Sequence, residues 1–409
     1  MSAPSFTSDV RGEHYQCVIA GGGPAGLMLG LLLARQGLKV AVIERHDDFR
    51  RDFRGDTIHP STMQVMDEVG LLGQMLALPH TKAPKLFAEV GGRDVCIADF
   101  TRLRVPAPYI AFMPQWEFLN FLADQAQRHP NFTLFMGSHV RDLIWRDGEV
   151  QGVEVENAHG IRKIEAGLVV AADGRRSELR KLADLPVETF GAPRDVVWFQ
   201  VPRQAGDPDI GMTHAGPRQG LILIDRGEFW QCGYAVAKGN FVETISGGGE
   251  AFRRKIEAAA PFLASRLKTI ERGDLHLLRV RIDRLSKWWV PGLLFIGDAA
   301  HAMSPIGGVG VNLAVQDAVA TANILGARLL VGNVRGRDLQ RVQRRRMMPT
   351  KVLQKLQVMM QGRGEERRKS KPISVLMRSM ARRLPLQHIA GRIIGVGIRP
   401  EHVVRTRSP

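Results

Sequence analysis

The apolar positions of this chain fall into two kinds of run. Tyr15–Ala20, Leu38–Ile43, Gly167–Ala171 and Leu293–Ile296 are short, continuous and apolar, the pattern of strands buried on both faces in a parallel sheet. Between the first two lies Pro24–Gln36, almost wholly apolar, which predicts a buried helix that opens at a proline and stops at Gly37. Strand, glycine turn, helix and strand make a βαβ unit. Segments 84–100, 196–201, 220–224 and 229–236 alternate or concentrate β-branched and aromatic residues between Gly, Pro and Asp. They predict an antiparallel sheet inserted into the α/β frame. Trp116–Arg128 predicts a helix, and a long helix runs from Val311 to about Leu330. The rest reads as basic and helical to about Leu384, with Gly362–Lys371 as a charged break. There is no internal repeat.

Composition narrows the class. With 409 residues, 44% apolar and 24% charged, the chain has the make-up of an ordinary globular protein of two or more domains. Cys17, Cys96 and Cys232 are far apart and lack metal-ligand spacing, so no metal site is expected and the thiols read as reduced. Met1–Gln16 has no apolar core of signal-peptide length, and Gly26–Ala34 is far short of the ~20 residues that span a bilayer. A cytoplasmic location is the expectation. The net charge of +16 changes meaning once it is located. Residues 326–409 hold 21 basic and 4 acidic residues, and the first 325 hold 36 and 37. A neutral body with a basic tail argues against nucleic acid as partner. The tail leaves open a peripheral contact with the inner face of a membrane, through Arg344-Arg345-Arg346, Arg367-Arg368-Lys369 and the amphipathic Ile373–Leu384.

Two glycine-rich crossovers bring in the chemistry. Gly21-Gly22-Gly23-Pro24-Ala25-Gly26 follows a strand and opens a helix. Gly21 permits the turn, Gly23 lets a pyrophosphate approach the backbone, and Gly26 lets helix and strand pack closely. Glu44 ends the second strand at the offset where an acid binds ribose hydroxyls. Far downstream, Gly297-Asp298 ends another strand, and Pro305 and Gly307, Gly308 and Gly310 lead into a helix at Val311-Asn312. Backbone N–H groups at two helix starts suit one extended dinucleotide held at both ends.

A single βαβ unit serves FAD and NAD(P) alike. The order Gly21–Gly26, Glu44, Asp173-Gly174 and Gly297-Asp298 resembles the flavoprotein aromatic hydroxylases typified by para-hydroxybenzoate hydroxylase, over roughly residues 13–330. That resemblance implies an α/β fold: a discontinuous Rossmann-like FAD-binding domain (1–82, 111–184, 286–345), an inserted, mainly antiparallel substrate domain (83–110, 185–285) and a basic helical segment (346–409). It implies FAD as cofactor, with Asp298 on the ribityl chain and Pro305, Gly307, Gly308 and Gly310 walling the isoalloxazine. The Val311 and Asn312 N–H groups would face its pyrimidine edge. Arg45, Arg54, Gln115, Asp173 and Gly174 carry over as further FAD contacts, and Arg176, Ser177 and Arg180 as candidate nucleotide-phosphate contacts.

The implied reaction uses NAD(P)H and O2 to hydroxylate an aromatic or similarly electron-rich small molecule through a flavin C4a-hydroperoxide. It requires no catalytic triad from the protein, and His301 is not expected to act as acid or base. For the substrate, the inserted sheet offers Trp198, Gln200, Met212, His214 and Tyr234. Two alternatives remain at this point: a membrane-associated hydroxylase of a polyprenyl quinone precursor, and an FAD-dependent reductase or catalytically silent FAD-binding protein. In the first of these the family has a glycine-glutamine-glycine-phenylalanine loop, where this chain has Gly308-Val309-Gly310-Val311.

Overall fold

The computed structural model describes residues 14–50, 57–89, 94–208, 212–215, 220–245, 249–366 and 386–404. The apolar runs form a six-stranded sheet in the order Trp289–Val290, Leu293–Phe295, Val169–Ala171, Cys17–Ala20, Val40–Ile43, Phe132–Phe135. Its pairings are parallel apart from the edge hairpin of the first two strands. The helix Pro24–Arg35 has ten buried residues in succession, from Ala25 to Ala34, because other helices cover it as well as the sheet. It shares one core with Gln115–Gln127 and Val309–Leu330. Gly37 follows it at φ +87°, the left-handed conformation that ends a helix.

The opposite face of the sheet is covered by an antiparallel meander, His139–Arg146, Glu149–Asn157 and Gly160–Ala166, which the sequence reading did not resolve. Its local signal is Asp147-Gly148, both at positive φ (51° and 76°), the pair that a tight hairpin turn requires.

The inserted sheet is antiparallel, in the order Met212–Ala215, Leu221–Asp225, Phe229–Ala237, Arg194–Pro202, His276–Leu278. The strands alternate between two cores. Val197, Phe199, Trp230 and Cys232 pack with Phe252 and Ile256 of the helix Glu250–Ala259. Val196, Trp198, Ile222 and Ile224 turn the other way. The hairpin Lys85–Glu89 and Asp94–Asp99, expected as part of this sheet, is a separate two-stranded ladder.

Asp207 fixes the far edge of this domain. It accepts from Arg266 at 2.6 and 2.7 Å and from the Trp230 indole at 2.7 Å. The Arg266 hydrogen bonds outweigh burial and hold its carboxyl well below the usual range. The stability it contributes is therefore full above the ordinary carboxylate pKa of about 4 and is lost as pH falls below it. In acid titrations followed by tryptophan fluorescence, Asp207→Asn is expected to be less stable than the parent at pH 7, with the difference narrowing below pH 4.

The helix Gly336–Glu366 runs through positions 345 and 346, so the expected domain boundary there falls inside one continuous element. Of the basic cluster Arg344-Arg345-Arg346, Arg344 is exposed and the other two are engaged inside the protein. Arg346 is 2% exposed, and Arg345 donates to Glu401 at 2.7 Å. A buried, ion-paired guanidinium cannot reach a lipid headgroup. Arg367-Arg368-Lys369 and Ile373–Leu384 lie outside the described residues. No helix among the described residues is long and apolar enough to cross a membrane.

Candidate active site

The two glycine motifs meet in space. Gly21 sits at φ +110°, and a side chain there would strike the Ala172 carbonyl. One on Gly26 would strike the carbonyl of Gly21. Gly23 differs: its backbone is extended (φ −79°, ψ −175°) and a Cβ would meet nothing within 4 Å, because it faces a cavity. Gly23 caps the helix Pro24–Arg35, which has no side-chain cap and no acid in its first turn. Its first N–H groups and the positive end of its dipole are available to an anion. Glu44, 5% exposed, accepts from the Gly22 N–H at 2.9 Å and the His46 N–H at 3.0 Å, which fixes the carboxylate beside the turn.

The downstream motif is held from behind. At Gly297 (φ +57°) a Cβ would lie 3.1 Å from Ala25 and 3.4 Å from Ala314, near the starts of the helices Pro24–Arg35 and Val309–Leu330. The Gly297 N–H donates to Asp317 at 3.0 Å. Asp298 borders the cavity and accepts from Arg175 at 3.1 Å. Arg180 is 6% exposed and donates to the carbonyls of Asp298 (2.9 Å) and Ala299, and to Asp283 (3.0 Å). Ser177 caps the short helix Glu178–Leu182. The expectation that Arg180 and Ser177 meet a nucleotide phosphate is thus corrected, since both are engaged inside the protein. Arg176 is exposed and borders the cavity.

After Pro305, Gly307 and Gly308 take left-handed φ (79° and 62°), and the helix starts at Val309 with neither side-chain cap nor first-turn acid. Thr57 holds this turn by donating to the Gly308 carbonyl at 3.0 Å. Asn312 lies behind it, 3% exposed, with its side-chain oxygen accepting from Ser61 and Thr62.

One cavity of about 930 Å³ joins these parts. Gly21, Gly23, Pro24, Ala25, Glu44 and Arg45 border one end, with Gln115, Asp173 and Gly174 beside them. Asp298, Pro305, Gly307, Gly308, Gly310 and Val311 border the middle. The far end is apolar: Leu86, Ile110, Phe112, Ile222, Ile224 and Leu278, with Trp198 and Gln231 from the sheet and Ile394 from the helix Leu386–Gly395. Of the five substrate candidates, Trp198 lies on this wall. Gln200 is exposed beyond it. Tyr234 packs edge-on against Phe252 at 5.6 Å in the opposite core, which corrects its expected place in the pocket. Met212 and His214 lie on the edge strand, paired with Ile224 and Ile222. Arg54 lies outside the described residues.

Several residues at the site had no sequence signal. Arg175, Arg279 and Arg281 border the cavity. His59, fully buried, bonds through Nδ1 to the Ile394 carbonyl at 2.8 Å, and burial lowers its pKa to about 4, so it is neutral at pH 7. His301, 1% exposed, bonds to Asp317 at 2.6 Å and stacks on Trp288, away from the cavity.

These residues fit FAD. Two helices point uncapped N-termini at one elongated cavity, and Gly23 and Gly310 leave open space there that a side chain would fill. Asp173 caps the Glu178 helix with one oxygen, while its other oxygen is buried without a hydrogen-bond partner. Burial raises its pKa.

Residues 14–355 match the family described as FAD binding domain, and the chain belongs to that family. Over 392 residues it is 31% identical to 6-methylpretetramide 4-monooxygenase of Streptomyces rimosus, covering 93% of each chain. Among solved structures it resembles Pseudomonas aeruginosa PqsL in complex with 2-aminobenzoylacetate (TM-score 0.76, 20% identity, 87% of this chain and 98% of that one). It also resembles OxyS anhydrotetracycline hydroxylase of Streptomyces rimosus (TM-score 0.72, 23% identity, 94% and 76%). The chain is an FAD-dependent monooxygenase of the aromatic hydroxylase class, with NAD(P)H as co-substrate.

Proposed function

We propose that FAD lies along the cavity from Gly23 to Val311, and that a large apolar aromatic substrate docks against the inserted sheet. The observation behind this reading is the continuity of the cavity, whose polar, glycine-lined end passes into an apolar wall without a partition. The full-length relationship to 6-methylpretetramide 4-monooxygenase supports an aromatic of that class.

Bound FAD supplies hydride acceptance and the transfer of one oxygen atom from O2. The chain does the rest. The N-terminus of Pro24–Arg35 binds the pyrophosphate, Glu44 the ribose and Asp298 the ribityl hydroxyls. The start of Val309–Leu330 places N–H groups and a positive dipole end where the reduced cofactor is negative. Ile394 and the sheet wall keep water from the reacting atoms.

Ile222, half-buried on the wall, separates the two ends experimentally. Ile222→Asn is expected to retain FAD and to raise by about tenfold the dissociation constant of 6-methylpretetramide read from the flavin spectral change, the effect of a buried amide without a partner. Unchanged affinity would move the substrate off this wall.

A further inference from the structure

Behind the Gly297-Asp298 turn lies a fully buried chain of charges, and it ends on the C-terminal segment. Asp317, with 0% exposure, accepts on one oxygen from the Gly297 N–H (3.0 Å) and is bonded there by His301 (2.6 Å). Its other oxygen accepts from Arg346 Nε at 2.9 Å. Arg346 in turn donates from Nη1 to Glu401 Oε1 at 3.2 Å and to the Arg399 carbonyl at 3.4 Å. Glu401 is 6% exposed, and its own N–H donates to the side chain of Gln316, the neighbour of Asp317. One residue of the tail thus grips the helix Val309–Leu330 through Gln316 and the turn through Arg346 and Asp317.

We propose that Glu401 is a positioning residue for the cofactor: through Arg346 and Asp317 it sets the orientation of the Gly297-Asp298 turn, and so the affinity for FAD. The inference rests on the reading that this turn bears on FAD. Two donors, Arg346 and the Gly297 N–H, compete for the buried Asp317 carboxylate. Arg346 presents a rigid fork, and Glu401 takes one arm of it. Without that anion the buried Nη1 loses its charged acceptor, and Asp317, already bonded to Nε, is the anion left within reach. A second guanidinium bond to Asp317 displaces the Gly297 N–H, and Asp298 moves with it.

A second anchor of the same tail provides the control. Glu68 bonds to His402 at 2.6 Å and accepts from the Val403 N–H at 2.8 Å, and neither bond leads to Asp317. Titration of the apoprotein with FAD, followed by flavin fluorescence and absorption, tests the proposal. Glu401→Gln is expected to raise the FAD dissociation constant about tenfold, the effect of one charge-assisted hydrogen bond. It should also shift the visible flavin band. Glu68→Gln, which loosens the same segment, should stay within about twofold of the parent. Arg346→Lys keeps the charge but loses the fork, and should match Glu401→Gln; it decides the matter if Glu401→Gln does not fold. Equal effects of Glu401→Gln and Glu68→Gln, or no effect of Glu401→Gln while Gly23→Val still expels FAD, would overturn the positioning role alone. Retention of FAD by Gly23→Val would overturn the reading beneath it.

Discussion

Gly23→Val is expected to yield a folded protein that has lost FAD. At Gly23 the backbone is extended at negative φ, which valine adopts without strain, and a Cβ meets no atom within 4 Å. The open space is the cavity at the uncapped end of the Pro24–Arg35 helix, where the pyrophosphate must approach the N–H groups. Two methyl groups there displace the ligand without disturbing the protein. Purified Gly23→Val should be colourless, with a flavin dissociation constant raised at least about a hundredfold, equivalent to ~2.7 kcal/mol. Its far-ultraviolet circular dichroism should match that of the parent apoprotein. Gly26→Ala should behave differently, because its new methyl collides with the Gly21 carbonyl and the turn itself must open.

The largest effect on stability is expected at Arg180. Its guanidinium joins the strand Asp283–Leu285, through Asp283, to the carbonyls of Asp298 and Ala299. Arg180→Met keeps much of the volume but leaves Asp283, at 0% exposure, with only the longer contact to the exposed Arg281 at 3.8 Å. Breaking a buried pair from one side costs about 3–5 kcal/mol. The variant should lose that much in urea unfolding and retain little flavin. Arg180→Met with Asp283→Leu should recover part of the stability, since no unpaired charge remains.

How far the sequence discloses this protein depends on whether each feature is local. The βαβ unit and both glycine turns were legible because Gly21 and Gly297 need positive φ, Gly26 admits no side chain, and Gly23 must leave room. The meander over 139–166 was missed because register shifts between Val140 and Asp142 and between Ile144 and Trp145 interrupt its alternation. Tyr234 was misplaced for another reason. A period of two shows that a strand has two faces, and only the pairing of Trp198 with Gly233 shows which one meets the cavity. The ion pairs were invisible: Arg180 and Asp283 are 103 residues apart, Arg346 and Glu401 55, and nothing local marks the partners. For the same reason Arg345 and Arg346 read as part of a basic surface, although both donate to Glu401 and Arg346 also pairs with Asp317.

The central claim is that one cavity holds FAD at its glycine-lined end and an aromatic substrate at its apolar end, so that oxygen passes between them. Mass spectrometry of reactions with large apolar aromatics, 6-methylpretetramide among them, under ¹⁸O2 and with NADPH or NADH as reductant tests it most directly. The account predicts a hydroxylated product containing one ¹⁸O atom, with reductant consumed in step with product. An unlabelled hydroxyl, or reductant oxidised with no oxygenated product across a panel of large apolar aromatics, would contradict it.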